Sequence, residues 1–343
     1  MSVSSSRTTG DEHVGQAGSV VVLGATGFVG RHVCEAFEAA GWTVTGVARS
    51  TPSTPTPYAM EGLDVVGAEP GRIAELLARH GAEVVVNAAG AAWQVTEEEM
   101  ARANTDLVHR LLAGLALLDG RPRLIQLGSV HEYGPVPNRT AITEDLPTAP
   151  VTPYGRSKLA GGRALLDAIA PGGATGLVLR LSNVSGPGTH RASLLGLVAH
   201  HLATSASQPL RLAPLLAHRD FVDVRDVAES VLAAARSDAS GRVVNIGAGQ
   251  ATSVRVLVAR LSELAGATAE IVEAPVQGGR PPETEYQRMD IGLAGALLGW
   301  APRRSLDDSL RDLLVHARAA ADREPLSSAL QVTPTTMTAS GHR

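Results

Sequence analysis

Apolar and polar positions follow two rhythms along this chain. Short unbroken apolar runs are followed by stretches in which apolar residues recur every three or four positions. The first run, residues 20–23, reads as a buried strand, and Val29, Val33, Phe37 and Ala40 then share one helix face. Gly41 is a natural stop. Residues 42–47 predict a second strand, ending in Ala48-Arg49-Ser50. The Pro/Thr/Ser-rich residues 51–61 read as a loop and residues 63–66 as a short third strand. A helix is predicted over 70–79, with Pro70 in its first turn, then a fourth strand over 84–86. A long helix over 97–118 and a fifth strand over 124–127 follow. Another helix opens at Pro153 and runs to about residue 169. Continuous apolar strands separated by helices predict an α/β fold with a doubly wound parallel sheet.

The rhythm breaks at Gly186-Pro187-Gly188. Residues 194–202 then predict a helix, and 210–216 a mixed apolar loop or strand. A helix over 224–235 returns to the first domain, followed by a strand over 243–246. Helices over 253–265, with Ser253 as N-cap, and 306–317 close the pattern. The expected organisation is a first α/β domain over 18–182, rejoined by segments near 218–250, and a smaller C-terminal α/β region over 183–217 and 251–323. Residues 1–17 and 324–343 read as a disordered and a loose tail.

Composition narrows the classes. A hydrophobic fraction of 44% and a net charge of −4 over 343 residues describe a soluble globular chain. Without a basic excess, and with only 3% aromatics, nucleic acid is not an expected partner. Cys34 is the single cysteine, so no disulfide can form within the chain. On the first helix it reads as a buried structural thiol. No run is long enough to span a membrane, and the first 17 residues lack a signal peptide's apolar core. The expected location is cytoplasmic. His200-His201 has no third ligand at zinc-site spacing, so no metal is expected.

The glycines after the first strand carry the first chemistry. Gly24, Gly27 and Gly30 stand at the spacing G-x-x-G-x-x-G between a strand and a helix. Gly24 permits the tight turn, Gly27 lets a pyrophosphate approach the backbone, and Gly30 lets the helix pack on the strand. The amides at the helix start then face the anion. This is the Rossmann-type arrangement, and Thr26, Phe28, Val29 and Arg31 fall within it. At the end of the second strand an acid would hold ribose hydroxyls, whereas an arginine suits a 2′-phosphate. Arg49 and Ser50 stand there, with Arg31 past the glycine turn, so NADP(H) is the expected cofactor. The small residues Asn87-Ala88-Ala89-Gly90, leaving the fourth strand, suit contact with a flat cofactor. Asn104 interrupts the apolar face of Leu107, Leu111 and Leu115. Bridging to a neighbouring strand's backbone and facing solvent are both open to it.

Ser129 lies just past the fifth strand, and Tyr154 and Lys158 are four apart on the next helix. The ammonium is expected to lower the phenol's pKa. Tyr154 then serves as general acid toward a carbonyl or general base toward an alcohol. The Ser129 hydroxyl can donate to the same oxygen.

These motifs give the chain a specific resemblance. It is similar to the extended short-chain dehydrogenase/reductases of the NAD-dependent nucleotide-sugar epimerase/dehydratase group over about residues 18–318. The resemblance rests on Gly24-Ala-Thr-Gly-Phe-Val-Gly30, Ser129 through Tyr133-Gly134, and Tyr154-Gly-Arg-Ser-Lys158. It rests also on Arg180-Leu-Ser-Asn-Val-Ser-Gly-Pro-Gly188, Arg219-Asp-Phe-Val-Asp-Val-Arg-Asp226 and Leu297-Leu-Gly-Trp-Ala-Pro302. It implies a Ser129/Tyr154/Lys158 triad, with Asn183, Arg219 and Arg280 on the diphosphate of a dTDP- or GDP-linked sugar. Dehydratases of the group carry Asp-Glu directly after the hydroxyl residue; here Val130 and His131 occupy those positions. His131 is counted with the substrate contacts. The run 128–134 is most similar to reductases of 4-keto-6-deoxy sugars, so an NADPH-dependent 4-ketoreductase is expected. A 4-epimerase with bound NAD and a non-catalytic NADP(H) sensor are the alternatives, and the intact Tyr-Lys pair argues against the sensor. A homodimer is left open. The group often has an acid after the third strand, for adenine; with that strand at 63–66 the position falls on Ala68.

Overall fold

The computed structural model describes residues 18–323 except 93, 138, 206, 268–269 and 276–284. Both predicted tails and Arg280 lie outside the described residues. The chain opens with β1 (Ser19–Leu23), α1 (Phe28–Ala39), β2 (Thr43–Ala48), β3 (Ala59–Gly62), α2 (Pro70–Arg79) and β4 (Val84–Asn87). Next come α3 (Glu97–Ala101), α4 (Leu107–Leu115), β5 (Arg123–Ser129), α5 (Pro153–Ile169), β6 (Thr175–Leu181) and β7 (Asn183–Ser185). Then follow α6 (Leu194–Thr204), β8 (Leu210–Leu212), β9 (His218–Asp223), α7 (Val224–Arg236) and β10 (Arg242–Ile246). The last elements are β11 (Ala251–Ser253), α8 (Val254–Ala265), β12 (Ile271–Glu273), α9 (Gly292–Leu298) and α10 (Leu306–Ala321).

The described chain divides into two units. The first takes residues up to Val184, Asp220–Ala251 and Tyr286–Arg303. Its centre is a seven-stranded sheet of order β10-β6-β5-β4-β1-β2-β3, paired in parallel throughout. The strands stay parallel, but the order in which the chain adds them reverses between β1 and β4, and α/β sheets bind ligands beyond the strand ends at such a point. Alternate residues of each strand serve opposite cores. Val20 and Val22 pack with Val33 and Phe37 of α1 and Val227 and Val231 of α7. Val21 and Leu23 join Ile73 and Leu77 of α2 and Leu107 and Leu111 of α4. Burial on both faces is why the strands read as unbroken apolar runs.

The second unit comprises Ser185–Arg219, Thr252–Glu285 and the chain from Arg304. In it α6, α8 and α10 pack on one another, and β8 pairs with β12.

The structure departs from the predicted elements in several places, and it adds β7, β9, β11, β12 and α9. The third strand is Ala59–Gly62, inside the segment read as a loop, and it pairs with Thr45–Ala48 of β2. Val65 is buried from a turn instead, so its apolar signal reported burial and not a strand. The long helix is interrupted by a π-helical turn over Arg102–Asp106. Strand β6, which no apolar run had singled out, inserts beside β5. Ser253 does stand at the N-cap of α8, but its side chain makes no capping bond.

Candidate active site

The glycine turn is built by leaving side chains out. Gly24 has φ +77°, and a Cβ there would lie 2.8 Å from the backbone of Ala89. A Cβ on Gly30 would lie 2.1 Å from the Gly24 carbonyl oxygen, so any side chain would push α1 off the turn. Gly24 donates to Val47 O at 2.9 Å, which ties the turn to β2. Gly27 caps α1 without a side chain, and the first turn holds no acidic residue. The first amides of a helix have no partner within it. A bare, side-chain-free helix start of this kind fits a pyrophosphate. Thr26 is exposed, while Phe28, Val29 and Arg31 are half-buried around it.

The pairing of Leu23 with Val47 brings the end of β2 level with this turn. Arg49 and Ser50 follow it and are exposed. The Arg31 guanidinium is held below its ordinary range by burial, against the pull of Glu35 and Tyr58. With β3 at Ala59–Gly62, the first acid after the third strand is Asp64, ahead of the Ala68 position. The Asp64 carboxylate accepts from Val66 N at 3.3 Å.

Beyond β4 the polar side chains are committed internally. Asn87 donates to Gln126 Oε1 at 2.8 Å and accepts from Ala89 N at 3.2 Å. It therefore shapes the Ala88–Ala89 exit from below, and the loop itself is what faces outward. Asn104, on the π turn, bonds Ala91 N at 3.1 Å, Ala91 O at 2.8 Å and Ser157 Oγ at 3.0 Å. It reaches the loop beyond β4, not the strand, and joins that loop to α5. The bulge fits because Gly161 of α5 faces it: a Cβ there would lie 2.2 Å from Asn104 O.

Ser129 ends β5 and is buried. Thr152 caps α5 by accepting from Gly155 N at 3.1 Å, and Pro153 opens the helix. Tyr154 thus sits on the first turn and the buried Lys158 one turn later. The structure brings the three residues together. The Ser129 side chain is hydrogen-bonded to the Tyr154 phenol. A Cβ on Gly90 would lie 3.8 Å from Lys158 Nζ, which places the ammonium at the exit loop of β4. His131 stands edge-on to Tyr154, ring centroids 5.8 Å apart.

The electrostatics correct the expectation for Tyr154. The protein packed around it pushes the phenol above its ordinary range, and the Ser129 hydrogen bond opposes that shift. Burial also lowers Lys158, with Glu132 pulling it back up. Desolvation sets the direction for the phenol, and the expected help from the ammonium is not among the influences on it.

The NAD dependent epimerase/dehydratase family matches residues 20–247. The chain belongs to this family. It is 42% identical to dTDP-6-deoxy-L-talose 4-dehydrogenase (NAD(P)(+)) from Kitasatospora kifunensis over 298 residues, covering 86% of this chain and 94% of that protein. It is 28% identical to a UDP-glucose 4-epimerase from Azospirillum brasilense, covering 88% and 92% of the two chains. Among solved structures it resembles RMD from Pseudomonas aeruginosa complexed with NADPH. The TM-score is 0.76 at 25% identity, covering 89% of this chain and 99% of that one.

In this epimerase/dehydratase chain Val130, at the first position where dehydratases carry an acid, is buried. Asn183 donates to Asp220 O and Gln287 Oε1, both at 2.9 Å. Arg219, in the second unit, is ion-paired with Glu285. Its buried Nε finds no acceptor among the described residues. Sequence reading assigned nothing to Glu132, which is fully buried beneath the site, nor to its partner Arg180. A charged residue inside an otherwise apolar strand, as Arg180 is in β6, was the available signal. No group of His, Cys, Asp and Glu that could hold a metal occurs among the described residues. No described helix is long and apolar enough to cross a membrane.

Proposed function

We propose that this protein is an NADPH-dependent 4-ketoreductase of a nucleoside-diphosphate 4-keto-6-deoxy sugar, of the dTDP or GDP type. The observation that carries the reading is the Ser129–Tyr154–Lys158 cluster at the carboxyl edge of the sheet that also holds the glycine turn, with no carboxylate at positions 130 and 131. The relative acting on dTDP-6-deoxy-L-talose supports it, since a 4-dehydrogenase and a 4-ketoreductase describe one hydride transfer in opposite directions.

The turn from Gly24 to Arg31 would hold the pyrophosphate, Arg49 with Ser50 and Arg31 the 2′-phosphate, and Asp64 the adenine. Ala88, Ala89 and Lys158 would line the nicotinamide ribose. When bound, the cofactor supplies hydride to C4 of the sugar. Ser129 donates a hydrogen bond to the C4 oxygen and polarises the carbonyl. Tyr154 delivers the proton to that oxygen, which leaves a secondary alcohol. A phenol held above its ordinary range is protonated throughout the neutral range, the state a general acid requires. His131, beside Tyr154, would contact the sugar, and Asn183, Arg219 and Arg280 would hold the diphosphate. The first unit is then the cofactor-binding domain and the second the substrate-binding region.

The test is stopped-flow hydride transfer from NADPH to a dTDP-linked 4-keto-6-deoxy sugar. Tyr154→Phe should slow it about 10²–10⁴-fold with little change in binding. In wild type, reduction should hold level through neutral pH, because the proton-bearing phenol is present below its raised pKa. The reverse oxidation needs the phenolate and should rise with pH over the same range. Equal single-turnover rates in the two proteins would remove Tyr154 from the chemistry. Interconversion of 4-epimers without net NADPH use would favour the epimerase.

A further inference from the structure

Beneath the catalytic turn lies a buried carboxylate that the reaction above does not use. Glu132 has no exposed surface. It is the third residue after Ser129, and the two close a capping box: Glu132 Oε1 accepts from Ser129 N at 2.8 Å. Its other oxygen accepts from Arg180 Nε of β6 at 2.6 Å. The guanidinium is fixed in turn, 4.5 Å above the centroid of the Tyr133 ring. The Tyr133 hydroxyl donates to Asn245 of β10 at 2.7 Å.

The floor of this pocket is shaped for the acid. A Cβ on Gly128 would lie 2.5 Å from Glu132 Oε1, and one on Gly162 of α5 would lie 3.9 Å from Oε2. At Gly128, β5 thus omits a side chain where the carboxylate sits, while the Gly162 distance is ordinary contact. A capping box on an exposed turn needs no buried arginine and no glycine floor. Here a three-residue turn receives both.

We propose that Glu132, locked by Arg180, is the positioning residue of the catalytic turn: it fixes the Ser129 amide and places a carboxylate behind Tyr154 and Lys158. This inference rests on the reductase reading. The fixed amide holds the Ser129 hydroxyl on the shared oxygen. The negative charge disfavours the phenolate of Tyr154 and favours the ammonium of Lys158. The groups facing Tyr154 are Ser129 from β5, His131 and Glu132 from the turn, and Lys158 from its own helix. Arg180 holds Glu132 from β6. The carboxylate thus opposes ionisation of the phenol and opposes the loss of the ammonium's proton.

Two variants separate this role from packing. Glu132→Gln keeps the shape and an acceptor for Ser129 N but removes the charge. Glu132→Gln with Arg180→Met removes the pair together, so no buried guanidinium is stranded. Two readouts are used on the whole protein. Tyrosine titration followed by ¹³Cζ NMR, with Tyr154→Phe assigning the resonance, does not depend on turnover. Single-turnover reduction of the keto sugar reports the chemistry. The Tyr154 midpoint should move to lower pH in both variants. Hydride transfer should slow about 10²-fold in the folded double variant, the scale of a misplaced reacting group. Should the single variant fail to fold, the double variant decides. A folded variant with the wild-type midpoint and rate overturns the proposal and leaves Glu132 a packing residue. If wild type turns over no keto sugar, the reductase reading fails, while the titration still judges the charge placed by Glu132.

Discussion

Two turns leave the same edge of the parallel sheet and are made in opposite ways. After β1 the chain removes side chains: Gly24 and Gly30 allow contacts that no Cβ could share. After β5 it adds them: Ser129 and Glu132 cap each other, and Arg180, brought in by a neighbouring strand, completes the arrangement. The first turn offers bare amides, a surface that any phosphate can use. The second presents a hydroxyl and a phenol whose protonation is governed by what lies buried behind them. A backbone site tolerates almost no substitution yet says little about the substrate. A side-chain site can be retuned one residue at a time, and it is where the reaction is chosen.

The largest effect should come from breaking the first turn. Gly30→Val puts side-chain atoms where even a Cβ would lie 2.1 Å from the Gly24 oxygen. Because that neighbour is backbone, α1 must shift, at a cost on the order of 3 kcal/mol or more. NADPH affinity should collapse along with thermal stability. Wild-type affinity by fluorescence titration would contradict the cradle.

Arg49→Asp leaves the turn intact and reverses one charge beside it. The preference for NADPH over NADH should fall by a factor on the order of tens, or about 2 kcal/mol for one charged contact. Equal binding of the two cofactors by wild type would remove Arg49 from the 2′-phosphate.

Asn104→Ala sharpens the comparison from the other side. It leaves the Ala91 amide without its side-chain acceptor and unties the β4 exit loop from α5. Stability should fall by roughly 1 kcal/mol in thermal melts. Hydride transfer should slow several-fold while NADPH affinity holds, since the glycine turn is untouched. A loss confined to NADPH affinity would place Asn104 with the first turn instead.

The amino-acid sequence by itself determined whatever depends on neighbours a few positions away. Strand, glycine spacing and helix start lie within residues 19–39, so the cradle could be read directly. Tyr154 and Lys158 share a helix face because of the four-residue period alone. The tertiary structure decided the rest. Only pairing with β2 made Ala59–Gly62 a strand, because an edge strand of mixed sequence has no apolar run to announce it. Arg180 meets Glu132 across 48 residues, by the insertion of β6 beside β5. The phenol of Tyr154 moves up, although a lysine stands one helical turn away, because desolvation depends on everything packed around a group. Local geometry follows from the chain's own covalent period, whereas burial and long-range charge exist only once distant segments have met.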